Sequence, residues 1–391
     1  MKVYKLFSAW YFFIFFSFGS FLPLLSPFLK ERGFSGLNIG SALALGALVT
    51  IIMQPLWGYL ADRYRNSKVI VFILITCYTL AGLTMAAGTG VAKLTIIYGV
   101  FMVFFSGIMP VIDSMVVGND LEFGKVRLWG AMGFALGAQL TGLLAENLGL
   151  SSIFIAITLS NILVLILTAR IDDRSHSKTR EDSLNRGDIL ELLSDKGYLI
   201  FLVASFLVGG SMTGHNNYFS LLYRELGGSL SGVGLAFLLF AGSEAPVMAL
   251  VQNLSRRINV TSGLIISSLI FSIRWLWYST MPDPKWILTL FFIQGLSIGS
   301  FLVLVTLYIS EVTGPGLRTT ALAIYFSFSA GLGGMFAQYF SGLILNNYGI
   351  AQVYSFYFIM SLLGGGLYFL LLIGREKKVD CKMEDAGVKY K

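Results

Sequence analysis

Four ionisable side chains interrupt long apolar runs of this sequence: Asp113, Arg127, Glu244 and Arg274. A charge at the centre of a membrane-spanning helix costs about 2.5–3.5 kcal/mol even on a lenient insertion scale, so such residues are functional candidates by default. They fall as one acid and one base on consecutive apolar runs, with one such set in each half of the chain. Opposite charges within reach of each other offset much of their desolvation, and protonating the acid breaks the pair. Coupling proton movement to solute movement requires just such a carboxylate, one that responds to the arginine or solute beside it. The alternative is that these pairs serve only to hold helices together.

His215 stands in a polar stretch, Thr213-Gly-His215-Asn216-Asn217-Tyr218, inside another apolar run. Imidazole titrates near neutral pH, and the neighbouring amides can bind hydroxyl or carboxylate groups. The stretch reads either as a solute site or as an internally satisfied hydrogen-bonding cluster. Gln294, Ser297 and Gln139 are weaker candidates of the same kind. Cys77 and Cys381 lie in very different settings and give neither a disulfide framework nor a metal-ligand spacing. With no phosphate-cradling glycine loop and no nucleophile–base grouping, the expectation is a protein that is not an enzyme and needs no metal or cofactor.

The elements that must position these residues are membrane helices. Of 391 residues, 55% are hydrophobic and only 13% charged, against about 25% charged in a soluble domain. Apolar runs between charged breaks predict spans at 6–29, 38–60, 68–88, 93–117, 126–146, 151–169, 197–223, 231–252, 260–280, 285–310, 319–343 and 350–373. These runs are too long and too uniformly apolar for barrel strands. The first, from Leu6 to Leu29, is too long for a signal peptide and lacks a small-x-small cleavage site. The net charge of +7 is spread over short loops, which argues against a nucleic-acid partner.

The basic residues instead orient the chain. Lys2, Lys5, Arg63, Arg65, Lys68, Lys125, Arg256, Arg257, Arg318, Arg375, Lys377 and Lys378 share one side, whereas the other carries Lys30, Arg32, Lys93, Arg224 and Lys285. The excess predicts that both termini are cytoplasmic and that the protein is multi-pass in the cell membrane. A polar stretch dense in both signs, 170–196, separates a six-helix bundle at 1–169 from a second at 197–373, and 374–391 reads as a disordered cytoplasmic tail. Pro55 and Pro246 lie 191 residues apart, as do Val69 and Val260 at the start of the following spans. Parallel repeats of this kind place a substrate site between the halves.

The loop between the second and third spans reads Gly58-Tyr-Leu-Ala-Asp62-Arg63-Tyr-Arg65-Asn-Ser-Lys68. Here the chain resembles the major facilitator superfamily, whose signature in this loop is G-x-x-x-D-R/K-x-G-x-R/K-R/K. Gly58, Asp62, Arg63 and Lys68 match, while Arg65 replaces a glycine and Asn66 and Ser67 replace basic residues. The resemblance implies that Gly58, Asp62 and Arg63 latch the halves on the cytoplasmic side and release them when they rock apart.

Further stretches are similar to one branch of that superfamily, comprising lactose permease, phenylpropionate permeases and nucleoside–proton symporters. They are Phe15-Phe-Ser-Phe-Gly-Ser-Phe-Leu-Pro23, Pro110-Val-Ile-Asp113, Phe123-Gly-Lys-Val-Arg127-Leu-Trp129-Gly130, Gly242-Ser-Glu244-Ala-Pro246 and Ile273-Arg274-Trp275. The resemblance implies that Arg127 holds substrate opposite Asp113 and that Phe134 stands where a tryptophan stacks on a sugar ring. It also matches Glu244 and Arg274 to the acid and arginine of spans 8 and 9. Ser297 and Ser300 occupy the places of the span 10 His and Glu, and Gln294 that of a lysine, so a lactose-type proton relay is absent.

The expectation is an all-α polytopic membrane protein of two pseudo-symmetric six-helix bundles. It would act as a proton-coupled symporter of a small polar solute (sugar, carboxylate or nucleoside), working as a monomer in the lipid bilayer. Arg127, Phe134, His215, Asn216, Glu244 and Gln294 would face the solute, and Asp113, Glu244 and Arg274 would handle the proton. A proton-driven multidrug exporter and a non-transporting membrane sensor of the same fold are the alternatives.

Overall fold

In lipid no water is at hand to satisfy the peptide groups, so an apolar chain must close its hydrogen bonds within each segment. The computed structural model describes residues 2–64, 66–119, 121–171, 192–255, 259–314 and 317–385. It contains 12 helices long and apolar enough to cross a membrane. They are α1 (Val3–Glu31), α2 (Gly36–Ala61), α3 (Ser67–Ala87), α4 (Val91–Gly118), α5 (Phe123–Leu148) and α6 (Ser152–Arg170) in the first half. In the second are α7 (Lys196–Glu225), α8 (Leu230–Leu254), α9 (Val260–Ser279), α10 (Phe292–Val312), α11 (Arg318–Tyr348) and α12 (Ile350–Gly374). No strand occurs among the described residues. Most of the stretch 170–196, together with Arg65, Arg256, Arg257 and the side chains of Asp62, Arg375, Lys377 and Lys378, lies outside the described residues.

The helices form two bundles of six with matching internal neighbours. α1 packs on α5 and α6 as α7 packs on α11 and α12, and α3 packs on α6 as α9 packs on α12. The sequence repeat carries through to the helix ends. The Asn66 side chain caps the first turn of α3, and Asn259 caps that of α9. Gly90 in the loop before α4 and Met281 in the loop before α10 both have positive φ, 85° and 56°, and they too are 191 residues apart.

Glycines let the helices approach to backbone contact. A Cβ at Gly133 or Gly137 of α5 would overlap the carbonyl oxygens of Phe12 and Phe16 on α1. In the second bundle a Cβ at Gly210 of α7 would lie 2.6 Å from the Gly333 oxygen of α11.

Three segments differ from the sequence expectation. The tenth span, expected to run unbroken through 285–310, consists of a short helix Pro284–Thr289 and a main helix containing a π-helical turn, Gly295–Gly299. Gly295 and Gly299 press against the backbone of Ser243 and Glu244 on α8, and the widened turn accommodates that approach. α11 carries a second π-helical turn at Ser327–Gly333, where Ser329 donates to the Ser205 carbonyl of α7. The last helix continues to Asp385, past the end expected at 373, because Glu376, Lys377 and Lys378 are good helix formers and no proline stops them.

The bundles meet along two seams, α2 with α11 and α5 with α8. An even number of spans puts both chain ends on one side of the membrane, and the seams close tightly on the opposite side. There a Cβ at Gly342 of α11 would lie 2.6 Å from the Cα of Gly40 on α2, and one at Gly234 of α8 would lie 2.5 Å from the Ala138 oxygen. Ser26 of α1 donates to the Asn217 carbonyl of α7 at 2.6 Å, and Lys30 faces Glu225 at 3.9 Å. Toward the terminal side the seams part. Following α2 down its seam face, Ile51 still touches Gly331, but Gly58 has nothing within 4 Å of an added Cβ; Gly124 and Gly242 are open likewise.

Candidate functional site

Two polar clusters flank the cleft, one in each bundle. In the first, Asp113 projects from the last part of α4 and accepts a hydrogen bond on one carboxylate oxygen from the Tyr11 hydroxyl of α1. Its other oxygen lies 3.7 Å from an Arg127 guanidinium nitrogen on α5. Both remain accessible, with side chains 31% and 50% exposed. The guanidinium lies over Phe123 at 5.5 Å and Phe15 at 6.0 Å from the ring centroids. Phe134 stands two turns further along the same face of α5, half-buried, 6.4 Å from Phe237 of α8 in an edge-on contact that bridges the bundles. A solute in this cleft would meet a charged fork with an aromatic floor.

The second cluster is drier. Arg274 of α9 is only 1% exposed. It donates to Ser297 Oγ at 3.1 Å and approaches His215 Nε2 of α7 at 3.0 Å and Tyr278 Oη at 3.4 Å. Trp275, Tyr278 and Phe240 surround the guanidinium with ring centroids at 4.7, 5.1 and 5.5 Å. The other His215 nitrogen, Nδ1, lies 3.0 Å from Tyr354 Oη of α12. Glu244, half-buried on α8, accepts from Gln294 Nε2 at 3.3 Å.

The sequence leaves open whether the acid and the arginine of this half touch. Asp113 and Arg127 stand together, but Glu244 and Arg274 form no ion pair, and among the described residues no carboxylate lies within 4.0 Å of Arg274. The π-helical turn of α10 explains this, since it inserts Gln294 and Ser297 between the two helices. Gln294 holds the acid and Ser297 holds the arginine.

The remaining candidates scatter. Asn216 is exposed and, one residue on from His215, points about 100° away around α7. It shares the face of Ser220, which donates to the Pro23 carbonyl of α1. The carbonyl oxygens of Gln139 and Gln294 are buried with no hydrogen-bond partner among the described residues. In the loop motif, Gly58 faces open space and Arg63 donates to Tyr59 of its own helix at 2.8 Å. Lys68 instead ties α3 to the end of α6, donating to the Ala169 and Ile171 carbonyls at 2.7 and 3.1 Å. The Asp62 side chain is outside the described residues.

Three site residues escaped the sequence reading. Tyr278 carried a usable signal, since it lies four residues after Arg274 on one helix face. Tyr11 sits among so many aromatics of α1 that nothing distinguishes it, and Tyr354 lies on a helix with no intramembrane charge to draw attention.

Two six-helix bundles around a cleft lined by charges are the architecture of a membrane transporter. The chain belongs to the MFS_1 like family, whose model matches residues 4–356. Over 379 residues it is 35% identical to a protein named maltose permease from Geobacillus stearothermophilus, covering 95% of each chain. It is 29% identical over 305 residues to a probable 3-phenylpropionic acid transporter of Escherichia coli (strain K12), covering 75% of this chain and 78% of that one. The crystal structure of nucleoside transporter NupG matches with a TM-score of 0.83 at 16% identity, over 95% of this chain and 99% of that one. The family and the fold together bear out the resemblance drawn from the sequence, and the protein is a multi-pass solute transporter rather than an enzyme.

Proposed function

We propose that this protein is a proton-coupled sugar symporter of the cell membrane, with both termini cytoplasmic and the protein acting as a monomer. The carrying observation is the Tyr11–Asp113–Arg127 cluster above the Phe134–Phe237 floor. Asp113 already neutralises Arg127, so this cluster offers no spare cation for a carboxylate solute. It offers donors and acceptors in a fork, suited to vicinal hydroxyls, beside a ring face suited to the apolar face of a sugar. Similarity to a maltose permease over nearly the whole chain supports the same reading.

Transport would follow from rocking of two bundles, residues 1–169 and 197–373, linked by 170–196. The present arrangement, joined on one side and parted on the terminal side, corresponds to a cytoplasm-open state. The motif residues Gly58, Asp62 and Arg63 would close that face in the opposite state. Arg127, Phe134, Asn216 and Gln294 would contact solute from the cleft.

The test uses purified protein in liposomes with an internal pH dye, challenged in turn with maltose, 3-phenylpropionate and uridine. A proton signal and uptake with maltose, lost in Asp113→Asn, is the expected result. Uptake of the carboxylate alone would replace the sugar reading with an acid one. Solute uptake without any proton signal would leave a uniporter.

A further inference from the structure

The hydrogen-bond roles around Arg274 are fixed by chemistry. A guanidinium has five N–H donors and no acceptor. At 3.0 Å from Arg274 Nη2, His215 Nε2 must therefore be the acceptor and must carry no proton. The imidazole is then neutral, its single proton on Nδ1 and donated to Tyr354 Oη at 3.0 Å. A second proton has only the Nε2 lone pair to occupy, and there it would set N–H against N–H and one positive charge against another.

The surroundings leave few alternatives for either group. From α9, His215 faces Arg274 and Tyr278; from α12 it faces Tyr354, with Tyr357 against the adjoining Gly214. α8 contributes Phe240 and, four residues further along the same helix, carries Glu244. α1 offers α7 Ser26, the Pro23 carbonyl and, against Glu225 ten residues on from His215, Lys30. α11 offers the Gln338 carbonyl, which accepts from Tyr218, the Ala321 carbonyl, which accepts from Tyr198, and Ser329, which donates to the Ser205 carbonyl. Glu244 is thus the acid available to a displaced Arg274, and among the described residues it is held by a 3.3 Å bond from a neutral amide. The span 10 serines cannot serve as proton carriers: Ser297 and Ser300 bond to Arg274, Ser267 and backbone carbonyls.

We propose that His215 takes up the coupling proton, and that its protonation hands Arg274 from His215 to Glu244. The assignment rests on the symport reading above and moves the proton site from the carboxylates to α7. The proton adds to the Nε2 lone pair; the Arg274–His215 and Gln294–Glu244 hydrogen bonds break, and an Arg274–Glu244 pair forms. Tyr354, one turn into α12 from its start at Ile350 on the side opposite the termini, lies where a proton from that side would arrive. Release of Arg274 removes one hydrogen bond between α7 and α9, leaving that from Trp275 to Ser211 at 3.3 Å, and takes the Gln294 amide off Glu244, so one proton alters the contacts of two helices.

The chain has two histidines, His215 and His176. Protein labelled with 15N-histidine and carrying His176→Asn therefore reports on His215 alone. In lipid nanodiscs at pH 7.5 the expected spectrum is that of the Nδ1–H neutral tautomer, and Glu244→Gln is expected to lower the pH of its protonation by at least about one unit, a tenfold change in proton affinity. An Nε2–H tautomer, or a midpoint indifferent to Glu244, would overturn the assignment. In liposomes, His215→Gln is expected to exchange maltose across the membrane yet lose the maltose-driven proton signal. If wild type and His215→Gln both give that signal, only the His215 assignment falls. If wild type exchanges maltose with no proton signal, the symport reading falls and the assignment with it. The spectroscopic arm needs no solute and decides the matter should the glutamine variant not fold.

Discussion

Glu146 of α5 accepts a hydrogen bond at 2.5 Å from the backbone N–H of Leu230, the first residue of α8, and a longer one at 3.4 Å from Ser231. The contact crosses between the bundles and sets a carboxylate on the positive end of a helix, where the free N–H groups and the helix dipole both favour an anion. Ser229 caps the same turn by accepting from Gly232. The closed side of the molecule is thus fastened by an ionic helix cap beside the glycine seams.

Glu146→Gln keeps the shape but removes the charge, and is expected to favour the state open on that side. Hydrogen bonds to charged groups contribute about 1.5–3 kcal/mol, and the exposure of Glu146 puts this one at the low end, about tenfold in the ratio of states. Spin labels at Lys93 and Lys285, in opposite halves on that side, would read the change as a population at longer distance. An unchanged distance distribution would show that the cap does not bias the equilibrium.

The glycines divide by what they separate. Gly342 and Gly40 lie between bundles that must part, whereas Gly137 and Phe16 lie within one bundle. Gly342→Val is expected to express normally but arrest transport with the closed side forced open. Gly137→Val is expected to cut the yield of folded protein instead. Purification yield together with the same spin-label pair distinguishes the two, and a Gly342→Val protein that still transports would show that close contact at that seam is not needed for the transport cycle.

Tyr11→Phe deletes the hydroxyl that donates to Asp113 and leaves Arg127 at 3.7 Å as its charged partner. Because Asp113 is partly solvated, about 1 kcal/mol is the reasonable loss, or roughly a fivefold rise in KM for maltose with little change in expression. Asp113→Asn should cost more, since Arg127 is then left uncompensated. If Tyr11→Phe transports with wild-type KM, the hydroxyl plays no part in ordering the fork.

How much of this was legible in the sequence depends on the range of the interaction involved. The spans follow from local apolar runs, and the 191-residue repeat of Pro55 and Pro246 recurs in the backbone at Gly90 and Met281. The Asp113–Arg127 contact follows from consecutive helices joined by a short loop. The separation of Glu244 from Arg274 was not legible in the same way. Which partner each takes depends on the π-helical turn of α10, and that turn depends on Gly295 packing against α8. A glycine in an apolar run does not disclose which helix it will meet. For the same reason His215 could be named as a candidate, but its tautomer and its partner Tyr354, 139 residues away, could not.

Arg274→Lys is the sharpest probe of the second cluster. The guanidinium fork reaches His215 and Ser297 on two other helices while lying among three aromatic rings. An ammonium is a compact, more strongly hydrated charge and cannot reproduce that geometry. Burying it without the fork leaves His215 Nε2 or Ser297 Oγ short of a donor, at about 1–3 kcal/mol for an unsatisfied buried group. The lysine variant is therefore expected to unfold at lower temperature in detergent and to lose maltose-driven proton movement, even though it keeps the charge. Glu244→Gln, by contrast, is expected to leave thermal stability nearly unchanged, because a neutral amide can still bond to Gln294. A lysine variant as stable and as well coupled as wild type would mean that only the charge of Arg274 matters, and that its hydrogen bonds to His215 and Ser297 carry no part of the mechanism.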